Sequence, residues 1–113
     1  MWIASYLAKQ RASQSATSGS VMDADSAGVE ISASRKYREL PVVAPYGIYW
    51  VPPAGEKAVM VHTPVSDLCM GVVTAGAEGL EPGELMLCSE GGASIVLKNN
   101  GSVLINGNKY GGT

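Results

Sequence analysis

The sequence predicts a mainly β chain: a small closed or nearly closed barrel, then a short C-terminal β-ribbon, with a short helix at the N-terminus. Three observations lead there. Short runs rich in Val, Ile and Leu recur from residue 28 onward, each bounded by Gly, Pro, Asn or Asp. The small polar stretch ASQSATSGS (12–20) separates them from an apolar N-terminal segment. The closing stretch, EGGASIVLKNNGSVLINGNKYGGT, holds two β-branched runs, each followed by Asn and Gly. At 113 residues the chain is one domain with an appendage, divided here into 1–20 (helix and linker), 21–78 (barrel) and 79–113 (ribbon). Its hydrophobic fraction of 46% is high for a small monomer with little interior, which points to a partner or a homo-oligomer. The net charge of −2 argues against binding that works by phosphate neutralisation.

In the first segment Trp2, Ile3, Tyr6 and Leu7 fall near helical spacing, so a helix is expected over residues 1–13. A helix this short is marginal alone, which makes these four residues a candidate docking surface. The stretch is too short to span a bilayer and has no basic region before it, so the chain is expected to be made in the cytoplasm and left unprocessed.

From Val21 the texture is β. GVEISAS sets Val29, Ile31 and Ala33 on one face, and Val42–Val43 and Ile48–Val51 are β-rich runs broken by Pro-Tyr-Gly. Pro52–Gly55 reads as a turn. AVMVHT alternates, and LCMGVVTA is a strand with a bend or bulge expected at Gly71. Four or five short strands between residues 28 and 76 fit a small barrel, of which the five-stranded OB-fold is one type.

After the loop 76–84 come LMLCS, ASIVL and SVLIN, with Asn100-Gly101 as a hairpin signal because both residues tolerate positive φ. The last two runs superpose at an offset of eight, Ile95 on Val103 and Leu97 on Ile105. Leu85, Leu87, Ile95, Leu97, Val103 and Ile105 then share one apolar face, and no second layer follows in the sequence. An isolated hairpin is marginal in water. Either the ribbon folds back on the barrel, or identical ribbons supply the missing layer. The apolar content favours the second, as a three-fold intertwined β-prism or β-helix with these six residues as its interface.

Reactive groups are sparse. Cys69 and Cys88 sit in apolar strand-like runs and read as free buried thiols, with no Cys/His spacing for zinc. His62, Asp67 and Cys69 lie close enough in sequence to imagine a Cys-His-Asp group, but His62 reads as an ordinary strand histidine. Glu81 and Glu84 flank a Pro-Gly turn and could pose as paired carboxylates, though loop solubility explains them equally well. DADSAGVE begins like a Ca²⁺ loop at Asp23 and Asp25, but Ala27 stands where the third oxygen ligand belongs. No catalytic residue, metal or cofactor is expected. Tyr46, Tyr49 and Trp50 with Arg35, Lys36 and Arg38 are the only candidates for a single-strand binding surface, and SRKYRE reads rather as a solvated sheet edge. The NGS at 100–102 matches a glycosylation sequon, with nothing to indicate a eukaryotic secretory route.

Two blocks together resemble a known family. APYGIYWVPPAGEKAVMV (44–61) and GLEPGELMLCSEGGASIVLKNNGSVLING (79–107) are similar, in order and spacing, to the Mu-type phage baseplate spike family, also called baseplate assembly protein V-like. The blocks cover less than half the chain. The resemblance implies a homotrimer at the tip of a contractile phage tail or tail-like particle, part of the virion. Its OB-folds would close the tube end against tail-hub proteins through Trp2, Ile3, Tyr6 and Leu7. Its C-terminal β-helix would help puncture the target cell envelope, a mechanical role and not an enzymatic one. Many such spikes end in a His-x-His pair that holds iron; here the only histidine is His62, so no apical metal of that type is expected, and a separate tip protein is a possible further partner. The alternative is an OB-fold module that binds single-stranded nucleic acid or another ligand.

Overall fold

A computed structural model describes residues 16–113, which hold nine strands and no helix. The strands form two antiparallel sheets in two units, divided between Val73 and Thr74. The helix expected over residues 1–13, with Trp2, Ile3, Tyr6 and Leu7, lies outside the described residues.

The first unit contains β1 (Ala16–Asp25), β2 (Gly28–Ser32), β3 (Lys36–Leu40), β4 (Lys57–His62) and β5 (Asp67–Val72), in the order β3-β2-β1-β4-β5. Residues 16–20, expected as linker, are the first half of β1 and pair with β4 from Ala16–Val61 to Ser20–Lys57. Small residues suit this strand because it runs in a tight slot. A Cβ on Gly19 would lie 2.6 Å from the Ser32 carbonyl oxygen and 2.7 Å from Ile31 Cγ2. What reads locally as a polar tether is thus a strand selected for close backbone approach.

Period-two alternation builds the core as expected. Val29 and Ile31 of β2 and Ala58 and Met60 of β4 are completely buried, with Val21, Leu40 and Cys69 beside them. The β5 irregularity falls where Gly71 marks it: Val59 pairs with Gly71 and Met60 with Cys69, which leaves Met70 as the extra residue of a bulge.

The strands do not close into a barrel. Just past the end of β3, Val42 makes one parallel bridge to Cys69 of the other edge strand, β5, the only backbone bridge between these edges among the described residues. Cys69 N–H donates to the Pro41 carbonyl at 2.9 Å, and Val43 N–H donates to the Cys69 carbonyl at 2.8 Å. The ladder stops there, and Ile48–Val51, expected as a strand, is irregular. Pro41, Pro45, Pro52 and Pro53 lack the donors that a longer ladder needs.

The second unit contains β6 (Leu85–Cys88), β7 (Ser94–Leu97), β8 (Val103–Ile105) and β9 (Asn108–Tyr110), a four-stranded meander in sequence order. Two of its three turns follow the Asn-Gly signals; the third, between β6 and β7, is built on Gly91 and Gly92. At the β7–β8 turn Gly101 has φ 86° and Asn100 Oδ1 accepts from Ser102 N–H at 2.9 Å. The β8–β9 turn has two residues, Asn106 and Gly107, with φ 49° and 84°, the geometry that twisted hairpins favour. β9 is a strand that its sequence, NKY, does not signal.

Candidate functional site

Residues directly opposite in an antiparallel ladder share a face, and so do residues two apart along a strand. Leu85 stands opposite Leu97, and Leu97 opposite Val103. Leu87 stands opposite Ile95, and Ile95 opposite Ile105. The six residues read from the sequence therefore form two adjacent cross-strand rows on one face of the second sheet. Val103 pairs onward with Tyr110, which extends the first row and which sequence reasoning missed with its strand. This face is uncovered: Leu85, Leu87, Ile95, Leu97 and Ile105 are between 42 and 51% exposed, and Tyr110 is 56% exposed.

The opposite face is less apolar. Met86, Val96 and Leu104 form one row that ends at Lys109, and Cys88, Ser94 and Asn106 occupy the remaining positions. Cys88 is an exposed free thiol at the end of an edge strand, not the buried one expected; Cys69 is buried, and burial pushes its thiol up from the ordinary value.

Polar contacts brace the start of this sheet. The Glu84 carboxylate accepts from the N–H groups of Glu81 and Asn99 and from the Lys98 ammonium, each at 2.9 Å. These bonds, led by Glu81 N–H, hold its carboxyl down at about 2. Its side chain is 4% exposed and its partners are within the chain, so Glu84 is a structural clamp rather than a solvated loop carboxylate or one of a catalytic pair with Glu81.

In the first unit His62 is fixed on both sides. Its Nδ1–H donates to Asp67 Oδ1 at 2.7 Å, and its Nε2 shares a hydrogen bond with the Thr17 hydroxyl at 2.9 Å. Arg35 lies 3.9 Å from Asp67 and stacks over the Tyr37 ring at 4.4 Å. The group ties β1, β3, β4 and β5 together. Cys69, the nucleophile imagined from the sequence, is buried in the core, and the hydroxyl on His62 comes from a strand 45 residues away.

Asp25, considered as a cation ligand, instead accepts from the Ala27 and Gly28 N–H groups at 2.8 and 3.3 Å and caps the β1–β2 turn. No group of three or more His, Cys, Asp or Glu gathers among the described residues. Of the residues considered for single-strand binding, Tyr46 and Tyr49 are almost wholly exposed on the 44–56 loop, while the Trp50 indole N–H donates to the Val43 carbonyl at 3.4 Å. Arg35 and Arg38 are engaged within the chain, Arg38 with Glu30 at 3.1 Å. No protein-family model and no curated protein matches this chain.

Proposed function

We propose that this chain is a structural spike of a contractile phage tail or tail-like particle, acting as a homotrimer. The observation that carries the reading is the second sheet: a single layer with six aliphatic side chains in register on one uncovered face. Three copies that turn this face inward as an intertwined β-prism or β-helix give every one of those side chains a cover. Burying the exposed remainder of each is worth roughly 1 kcal/mol, or on the order of 5 kcal/mol per chain. Free edges at β6 and β9 find partners in neighbouring copies, which makes the assembly stiff under axial load.

The first unit fits the same reading. The order β3-β2-β1-β4-β5, with one parallel bridge between its edges, agrees with a partly open five-stranded barrel of the OB type. In the spike these units form a ring at the tube end, next to hub and baseplate proteins. The role is mechanical, at the target cell envelope, and no catalysis or cofactor is invoked.

Sedimentation of the purified chain tests this. A mass near three times 11.7 kDa, unchanged across salt, is expected; a clean monomer overturns it. The exposed Tyr46 and Tyr49 favour one second reading, a single-strand binding module. That reading requires salt-sensitive oligonucleotide binding, lost when Tyr49 and Trp50 become Ala.

A further inference from the structure

We propose that the β6 edge of one copy pairs antiparallel with the β9 edge of the next, so that three copies close the second sheet into a prism whose strands run along the three-fold axis. The inference deepens the homotrimeric reading above and rests on it.

Both edges are open: β6 and β9 bound the sheet, and neither pairs with a further strand among the described residues. In an antiparallel ladder the backbone groups of successive residues point alternately to either side. Ser89 N–H bonds back to Ala93 at the β6–β7 turn, so Leu87 and Leu85 face β7 while Met86 aims its N–H and C=O out of the sheet. Toward the other edge, the Lys98 and Asn106 N–H groups donate to the Ser102 and Ser94 carbonyls, which turns Val103 and Ile105 toward β9. Their partners Tyr110 and Asn108 face back, and Lys109 is left aimed outward.

Symmetry decides which edges meet. A contact between like edges needs a two-fold axis, so in a three-fold ring β6 must meet β9. With four strands in meander order β6 and β9 run in opposite directions, and every seam is antiparallel like the rest of the sheet. Setting Lys109 opposite Met86 places all three residues of β9 against β6, Tyr110 against Leu85 and Asn108 against Leu87. The apolar row that starts at Leu85 and ends at Tyr110 then runs unbroken around the inner side. Asn108, the polar exception, falls at a corner next to the β8–β9 turn.

The number of strands fits the enclosed space. Strands lie about 4.8 Å apart, so a four-stranded face is about 19 Å wide and stands about 5.5 Å from the axis of a triangular prism. Packed sheets lie about 10 Å apart, about 5 Å either side of the plane where their side chains meet. Three strands per face would bring the sheets to about 4 Å and crowd the axis; five would set them at about 7 Å and leave a void.

The test uses the full chain with Cys88→Ser, Met86→Cys and Lys109→Cys, oxidised and separated without reductant; Cys69, being buried, stays in place. Within one chain, positions 86 and 109 lie on opposite edges, about 14 Å apart across three strand spacings and too far for a disulfide. Across the seam their Cα atoms are about 5.5 Å apart, within the range a disulfide spans. Covalent dimers and trimers that collapse on reduction are expected, with nothing larger. Cross-linking by either single-cysteine variant would mean that like edges meet and overturns the pairing; species beyond the trimer overturn the closure. No cross-link in a chain that remains trimeric overturns the seam and leaves the spike reading standing, whereas a parent chain that is monomeric at the outset overturns both. If the double variant alone loses the trimer, amide hydrogen exchange on the unsubstituted chain decides. The Met86 and Lys109 N–H groups should be protected in the trimer and lose that protection on dilution to monomer; open-edge exchange at both in an intact trimer overturns the seam.

Discussion

Ile95 on β7 stands directly opposite Ile105 on β8, and both side chains are more than two-fifths exposed on the same sheet face. Leu87 lies on the other side of Ile95 in the same row. Three strands thus present aliphatic side chains in register with nothing from their own sheet to cover them.

Replacing Ile95 or Ile105 with Asp should therefore weaken self-association, not the folding of the five-stranded sheet. In the proposed prism each substitution would put an unpaired carboxylate at three symmetry-related positions of an apolar interior, at a cost of several kcal/mol. The expected result at micromolar concentration is a shift from trimer toward monomer in sedimentation velocity, with the β circular dichroism signal retained. Variants that stay fully trimeric would show that another surface holds the copies together.

Gly19→Ala tests the slot between β1 and β2. The added methyl would sit 2.6 Å from the Ser32 carbonyl, closer than a Cβ tolerates, so the backbone must move. A loss of about 1–3 kcal/mol in denaturant unfolding is expected for the first unit, as for overpacking elsewhere. Ser18→Ala, on the neighbouring exposed position, should leave the midpoint nearly unchanged.

Glu84 makes the second sheet sensitive to acid. Its carboxyl is held at about 2 in the folded chain, below the ordinary 4.5, so the ionised form is the one that folding stabilises. That contribution is complete above pH 4.5 and is lost as pH falls from there toward 2. Glu84→Gln should lower the hydrogen-exchange protection of Asn99 and of the β6–β7 amides at neutral pH. The gap between variant and parent should narrow steadily on acidification below pH 4.5; a gap that stays constant would separate the clamp from its charge.

Thr17→Val removes the hydroxyl hydrogen-bonded to His62 Nε2 and leaves that nitrogen without its partner. A loss of about 1 kcal/mol in unfolding free energy is expected. Asp67→Asn should cost at least as much, because it also removes the charge beside Arg35.

Much of this protein is written in its local alternation. Whether a side chain of a strand faces in or out depends on parity, which is a property of a few adjacent residues. Val29 with Ile31 and the six-residue face of β6–β8 are therefore legible in the sequence by itself. The Asn-Gly turns are legible too, because positive φ is a single-residue requirement. Pairing across the chain is a different matter. Nothing local shows that Gly19 must pass against Ile31, that Thr17 reaches His62, or that Val42 finds Cys69 while Ile48–Val51 finds no strand. Those outcomes depend on which distant backbone has free donors and acceptors within reach, and only the tertiary structure supplies that choice.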